Sequence, residues 1–244
     1  NRKGIVIHSP NIPAWKNYPL AAKIQSLTGI PVALENDATV ATAGAWLQNN
    51  IRKYRNWVMI TLGTGIGGGA VIDNRIYTGQ CGSSLEVGHI TIDINGKECP
   101  CGNRGCLKRY ASATALVETT KEYLEVFPAS SLHSRIETEK LSSKIIYEEA
   151  LKNDPLALKA IKEISTYLGY GIVNIVNLFN PEAVVFGGGL SRAHRLILPV
   201  VKEIIKAHAM TGMKEKVQLI HLRDQARMSA MGAAKMAIEH LKAT

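Results

Sequence analysis

Three cysteines and a histidine stand close enough in this chain to share one cation. Cys99, Cys101 and Cys106 lie within eight residues, and His89 precedes the first of them by ten. Pro100, Gly102 and Gly105 alternate with the cysteines, and these residue types let a backbone fold tightly around a point. A Cys3His set is a recognised closed ligand set for structural zinc, held tetrahedrally. Soft thiolates clustered on a turn suit that ion. The plainer alternative, reduced cysteines that merely pack, fits Cys81, which stands apart at the end of an expected turn. Disulfides within the cluster are disfavoured, because cysteines one residue apart do not readily reach bridging geometry.

Two glycine clusters follow hydrophobic, strand-like runs: GTGIGGG at Gly63–Gly69 and GGG at Gly187–Gly189. Glycines there allow close backbone approach, so amide N–H groups can face a phosphate or a base. Taken alone, each reads equally as a structural hairpin or turn. The first joins two expected strands instead of opening a helix, unlike a dinucleotide fingerprint. It also lacks the Gly-Lys-Ser/Thr ending of a phosphate-binding loop. A β-hairpin phosphate clamp remains, with the Thr64 hydroxyl as an extra donor. Asn36 and Asp37 fall at an expected strand end and helix start, where α/β proteins place ligand-binding groups. On position alone Asp37 reads as well as a helix N-cap.

The elements that must hold these residues alternate. GIVIHSPNIP is a strand broken by Pro10 and Pro13, YPLAAKIQSLTG a short helix stopped at Gly29, and PVALENDA a buried strand before a helix from Ala38 to Gln48. From Trp57, two strands flank the first glycine turn and a short return runs through Ile76 and Tyr77. Ser112 is the expected N-cap of the next helix, ahead of a polar stretch from Pro128 to Ser143 with no assigned element. One long amphipathic helix follows from Asp154, closed by Asn180 and Pro181. Strand, glycine turn, a helix from Arg192 to Met210, strand VQLIHL and a terminal helix rich in small residues complete the chain. Alternation of helices and strands with two glycine turns argues for an α/β architecture.

Composition narrows the function classes. At 244 residues, 46% hydrophobic and 20% charged, the chain has an ordinary globular make-up with room for a sizeable core. No apolar run is long enough to span a bilayer, and the opening residues do not resemble a secretory signal. Four cysteines, three of them clustered like metal ligands, fit a reducing cytoplasm. The net charge is +9, but the basic residues are spread along the chain without interleaved aromatics. A stacking surface for nucleic acid would need those aromatics; a basic surface tolerant of a polyanionic nucleotide fits better.

The run LEVGHITIDINGKECPCGNRGCLKRYAS resembles the signature of the ROK family of bacterial sugar kinases and related repressors. SPNIP, ENDA, GTGIGGG, NLFNPEAVVFGGGLS and MGAAKMA extend the resemblance over essentially the whole chain. It implies a two-lobe, actin-like ATPase (ribonuclease H-like) fold with a zinc-binding loop, in which sugar and ATP meet in a cleft. Residues 1–47, completed by a C-terminal helix at 226–244, would be the first lobe, and residues 48–225 the second. The implied activity is a glucokinase-like, ATP- and Mg2+-dependent hexose kinase. Asp37 matches the catalytic base, and Asn36, Glu86 and His89 match residues that bind sugar hydroxyls. Asn11 is a further sugar-site match, or a residue that stabilises a proline-bounded turn. Gly63, Thr64, Gly65 and Gly67 match a phosphate motif, and Gly187, Gly188 and Gly189 the nucleoside-side turn. His89, Cys99, Cys101 and Cys106 match the zinc ligands, which makes zinc a structural bracket for His89. The partners implied are a hexose or amino-hexose, ATP and a second copy in a homodimer.

The chain also departs from that pattern. Family kinases begin with a hairpin carrying Asp-x-Gly-Gly-Thr, which these residues do not contain. The first lobe is therefore expected to lack that hairpin, to expose a sheet edge, and to have little kinase activity as it stands. Lys108 replaces a usual glutamate that contacts the sugar, Leu85 stands where a small residue is common, and Thr39 and Ala45 replace an asparagine and a glutamate. A sugar-responsive repressor or a catalytically inactive sugar-binding protein are the alternative readings.

Overall fold

The computed structural model describes residues 3–8, 12, 14–80, 82 and 84–243. In chain order the elements are β1 (Val6–His8), β2 (Lys16–Tyr18), α1 (Leu20–Thr28), α2 (Asp37–Ala45) and α3 (Asn49–Arg52). The glycine hairpin follows as β3 (Trp57–Leu62), β4 (Ile66–Ile72) and β5 (Arg75–Tyr77). Then come α4 (Lys108–Ala111), α5 (Ala113–Tyr123), α6 (Leu132–Thr138), α7 (Ser143–Leu151) and α8 (Pro155–Phe179). The chain closes with β6 (Ala183–Gly187), α9 (His194–His208), β7 (Gln218–His221) and α10 (Gln225–Ala243). The main sheet is mixed, in the order β5-β4-β3-β6-β7, with β4 and β5 antiparallel and β6 and β7 parallel. No helix among the described residues is long and apolar enough to cross a membrane.

The described residues form two compact units. One takes residues from Asn1–Met59, Gly68–Glu86 and Asp224–Thr244, and the other from Ile60–Gly67 and Val87–Arg223. The division falls inside β3 and β4, so α3 and β5 group with α2 and α10.

In the first unit, α2 is almost entirely buried: Ala38, Thr39, Ala41, Thr42, Ala43, Gly44 and Ala45 are all inside. Small side chains let α10 come very near. A Cβ on Gly44 would lie 1.7 Å from the Met228 carbonyl oxygen, and one on Gly232 1.9 Å from that of Val40. Strand β4 presses on the same helix, where a Cβ on Gly69 would lie 2.1 Å from Thr42 Oγ1. The expected strand at PVALENDA does not form: residues 31–35 run as irregular chain into α2. An apolar run becomes a strand only through ladder hydrogen bonds with a neighbour, and no strand among the described residues pairs with it.

In the second unit, α8 is the central support. Asp154 caps it by accepting from the Ala157 N–H at 2.9 Å, Pro155 opens it, and Asn180 ends it in a left-handed turn. Its apolar stripe includes Leu156, Ile161, Ile164, Leu168, Ile172 and Val176, all buried. Full burial of one such side chain stabilises by about 1.5–3 kcal/mol. The polar stretch from Pro128 to Ser143 is ordered, contrary to its unpatterned look. It carries α6, and Ser131 donates to both Glu149 Oε2 (2.6 Å) and Asp154 Oδ2 (3.0 Å). Ser130 donates to both Asp154 oxygens, and Arg135 and Lys152 pair with Glu149 Oε1 at 3.0 and 2.9 Å. Helix α7, unassigned on sequence, brings in Glu149.

The Ser131 hydroxyl, then Lys152, hold Glu149 below the usual carboxylate range against the opposing effect of burial. Burial pushes Asp154 up, but the Ala157 N–H and the Ser130 and Ser131 donors outweigh it and hold it low. Carboxylates depressed in the folded state add stability that is complete above their unfolded pKa, about 4. That stability is lost as pH falls through the lower folded values. Thermal unfolding from pH 7 to pH 2 should therefore show an acid loss that Asp154→Asn and Glu149→Gln each flatten, with both variants less stable than wild type at pH 7. An unchanged acid limb would contradict this account.

Candidate functional site

His89 closes a 3-10 turn (Val87–His89), after which the chain makes a finger and returns through the cysteines. Bridges between Thr91 and Cys106 and between Glu98 and Arg104 zip the two sides together. The four donor atoms of His89, Cys99, Cys101 and Cys106 all lie within 4.8 Å of one another. Cys99 Sγ is 3.8 Å from His89 Nδ1, and Cys101 Sγ is 3.8 Å from Cys106 Sγ. Metal–sulfur bonds of about 2.3 Å at tetrahedral angles separate two sulfurs by about 3.8 Å. The donor set thus has the chemistry and, at these two pairs, the spacing of a tetrahedral metal site. Nδ1 faces the thiols, which leaves Nε2 as the other nitrogen of the ring.

The thiols differ in proton affinity. The Asn103 backbone N–H brings exposed Cys101 down to about 6, whereas burial pushes Cys106 up to about 12. A bound divalent cation is what would ionise all three together.

Asn36 and Asp37 sit where the sequence places them, at the start of α2, but their roles divide differently from the capping alternative. Asn36 is the cap, its Oδ1 accepting from Ala38 N–H at 2.9 Å and Thr39 N–H at 3.1 Å. Asp37 is the first helical residue and is exposed, its Oδ1 sharing the Ala38 N–H at 2.8 Å. Glu35, absent from the sequence reading, accepts the Asn36 N–H at 2.9 Å and orders the turn ahead of the cap. Gly69 was also hidden within a longer glycine run; its missing side chain lets β4 lie on the first turns of α2. Thr39 Oγ1 is buried there without a partner among the described residues.

The glycines of the second unit fall into two kinds. Gly188 has φ +96°, and a Cβ there would lie 2.2 Å from the Leu62 carbonyl oxygen, so the fold requires it. This contact brings the turn after β6 against the end of β3, next to Gly63. Gly63, Gly65 and Gly189 have no such need: added side chains would meet nothing within 4 Å. The Gly63 carbonyl accepts from Ala113 N–H at 2.8 Å, and the Thr64 carbonyl from Thr114 Oγ1 at 2.9 Å, which ties the turn to α5. Gly67 lies at the start of β4 and Gly187 at the buried end of β6.

Glu86 is exposed and belongs to the first unit, whereas His89 belongs to the second. Leu85 before it has φ +51°, left-handed backbone that a branched side chain rarely adopts. Lys108 begins α4, half-buried. Asn11, Pro10, Pro13 and Cys81 lie outside the described residues.

Comparison with known proteins decides the family. The model of the ROK family matches residues 1–240. The chain belongs to the ROK family. Among ROK relatives, it is 36% identical to a glucokinase of Halalkalibacterium halodurans over 85% of this chain and 63% of that protein. It is 32% identical to the xylose repressor of Bacillus subtilis over 96% of this chain and 57% of that protein. The chain thus spans about three fifths of the length of these two relatives. The crystal structure of a ROK glucokinase from Streptomyces griseus in complex with glucose and AMPPNP superposes with a TM-score of 0.88, at 30% identity, covering 97% of this chain and 77% of that one. Relatives named as a glucokinase and as a repressor thus match this chain at similar identity.

The two kinds of glycine predict different responses to the same change. Gly188→Ala should lower stability by about 2 kcal/mol or more, from left-handed strain and overlap together. Gly63→Ala and Gly65→Ala should unfold at the wild-type midpoint. Equal losses in a denaturation series would remove the distinction.

Proposed function

We propose that the chain is the core of an ATP-dependent hexose kinase, glucokinase-like, that transfers the ATP γ-phosphoryl group to a sugar hydroxyl. The observation that carries this reading is the division of labour at the start of α2. Asn36 caps the helix terminus through the Ala38 and Thr39 N–H groups, and the exposed Asp37 carboxylate shares the first of these through Oδ1. In this mechanism Asp37 takes the proton of the sugar hydroxyl as its oxygen attacks the γ-phosphorus, and the bond to the bridging oxygen breaks to release ADP. Asn36, Glu86 and His89 hold the sugar hydroxyls, and Gly187 and Gly188 build the nucleoside-side turn. Gly63, Thr64, Gly65, Gly67 and Gly189 offer backbone to the nucleotide, and the open space at Gly63, Gly65 and Gly189 supports that role. Magnesium bound with ATP would neutralise phosphate charge.

His89, Cys99, Cys101 and Cys106 would hold a structural zinc ion, which supplies a fixed centre and no bond-making step. With Nδ1 directed at that centre, Nε2 of His89 is the nitrogen that reads the sugar, its tautomer set by the ligation. A second reading, a sugar-responsive repressor, is favoured by the similarity to the xylose repressor.

In the intact protein, Asp37→Asn should lower kcat for hexose phosphorylation by about 10²–10⁴ while sugar binding persists. Coupled ADP detection over a sugar panel checks it. A wild-type protein that releases no ADP with any hexose, yet binds DNA in a sugar-dependent way, would establish the repressor reading instead. Metal analysis should find one zinc per chain, lost in Cys106→Ser, with a chelator lowering the melting temperature of the wild type only. Substoichiometric zinc and no chelator effect would sink the metal assignment.

A further inference from the structure

We infer that the hydroxyl of Tyr110 is a positioning group for the metal centre, latching the finger between His89 and Cys99 so that the four ligands converge. This inference rests on the metal reading above. Tyr110 lies on α4, four residues after Cys106, and is 7% exposed. A tyrosine hydroxyl at such depth finds a defined partner, and here the partner is the finger. Tyr110 Oη accepts the Lys97 N–H at 2.6 Å and donates to Asp93 Oδ2 at 3.5 Å.

Lys97 is the residue through which this contact reaches the ligands. It stands two residues before Cys99, and its carbonyl accepts the Gly105 N–H at 2.8 Å, one residue before Cys106. One side-chain oxygen therefore fixes a residue whose chain runs on to Cys99 and whose carbonyl bond leads to Cys106. The finger is also fitted closely around it. A Cβ on Gly96 would lie 1.9 Å from Tyr110 Oη, and one on Gly105 1.6 Å from the Asp93 carbonyl oxygen. Asp93 shapes the tip further, its Oδ1 accepting the Asn95 N–H at 3.0 Å.

From behind, α8 supports the tyrosine. The rings of Tyr110 and Tyr167 are 4.7 Å apart between centroids, and Leu107 fills the space beside Gly171, where a Cβ would lie 2.5 Å from Leu107 Cδ2. The Lys97 ammonium pairs with Glu122 at 2.8 Å and lies 6.0 Å from the Tyr110 ring centroid. That pair is partly exposed and fastens the side chain, not the peptide, so it contributes little to the ligand geometry.

Tyr110→Phe keeps the ring and removes the latch. Groups one layer outside the ligands alter metal affinity by about 10–100-fold. In the intact protein, Tyr110→Phe should weaken zinc affinity by about tenfold or more, read by competition with a chromogenic chelator. Its zinc release should quicken in proportion, while the metal-free variant melts with the metal-free wild type. Lys97→Met, which retains the backbone N–H, should release zinc at the wild-type rate. Gly96→Ala, which forces the same contact apart from the finger side, should reproduce the Tyr110→Phe release and keeps the test decisive if that variant folds poorly. Wild-type release from both Tyr110→Phe and Gly96→Ala would overturn the latch, as would a loss of stability equal in the metal-free and loaded forms. A wild-type protein that holds no zinc would overturn the metal reading itself, and this inference with it.

Discussion

Leu107 occupies the space that a side chain at position 171 would need, and the geometry of the loop from His89 to Cys106 depends on that contact. The loop from His89 to Cys106 is polar, short and rich in turns, with too little apolar surface to hold a shape by burial. Its shape comes from its ends. Leu107, the residue after Cys106, is fully buried against α8, and Tyr110 one turn later rests on Tyr167 of the same helix. Tyr167 and Gly171 are four residues apart, so they share one face of α8. A helix of 25 residues with a continuous buried stripe is rigid enough to supply that reference.

The other end of α8 is held by charge and hydrogen bonds. Asp154 caps the helix while also receiving Ser130 and Ser131, and Glu149 shares Ser131 with it. Two buried carboxylates meeting on one serine would repel, but Arg135 and Lys152 face Glu149 from either side. The node joins α6, α7 and α8, and it turns a polar stretch into ordered structure. Broken on one side only, such a network leaves an uncompensated buried charge.

In the first unit the constraint is close approach of backbones. Helix α2 has alanine, threonine and glycine nearly all round, and it is buried nearly all round, by α10 on one side and β4 on another. Its first turn alone reaches solvent, at Asp37. Burying the body of a helix while exposing its first residue fixes the place of the Asp37 carboxylate, whose Oδ1 accepts the Ala38 N–H. Asn36 completes the arrangement by taking up the terminal N–H groups. Close packing of this kind is sensitive to single methyl groups, which is why Gly44, Gly69 and Gly232 help to set the place of α2.

By itself the sequence determined the local signals. Cys99, Cys101, Cys106 and His89 were legible as a cluster able to share one cation because their spacing is short, and the structure brings their donor atoms together. The glycine turns, the capping Ser112, the Asp154 to Asn180 helix and the small-residue terminal helix were legible because each is a local rule of backbone or cap. Tertiary structure decided what depends on partners distant in sequence. The run at residues 31–35 looks like a strand, yet no described neighbour pairs with it. By position Asp37 could have capped α2, and only the backbone entering the helix selected Asn36. Glycines look alike in sequence, but Gly188 touches a carbonyl while Gly63 and Gly65 face open space. The Ser131, Glu149 and Asp154 node and the Tyr110 contact with Lys97 join residues separated by a dozen or more positions, and no periodicity encodes them. Such contacts exist only once packing has brought their backbones together.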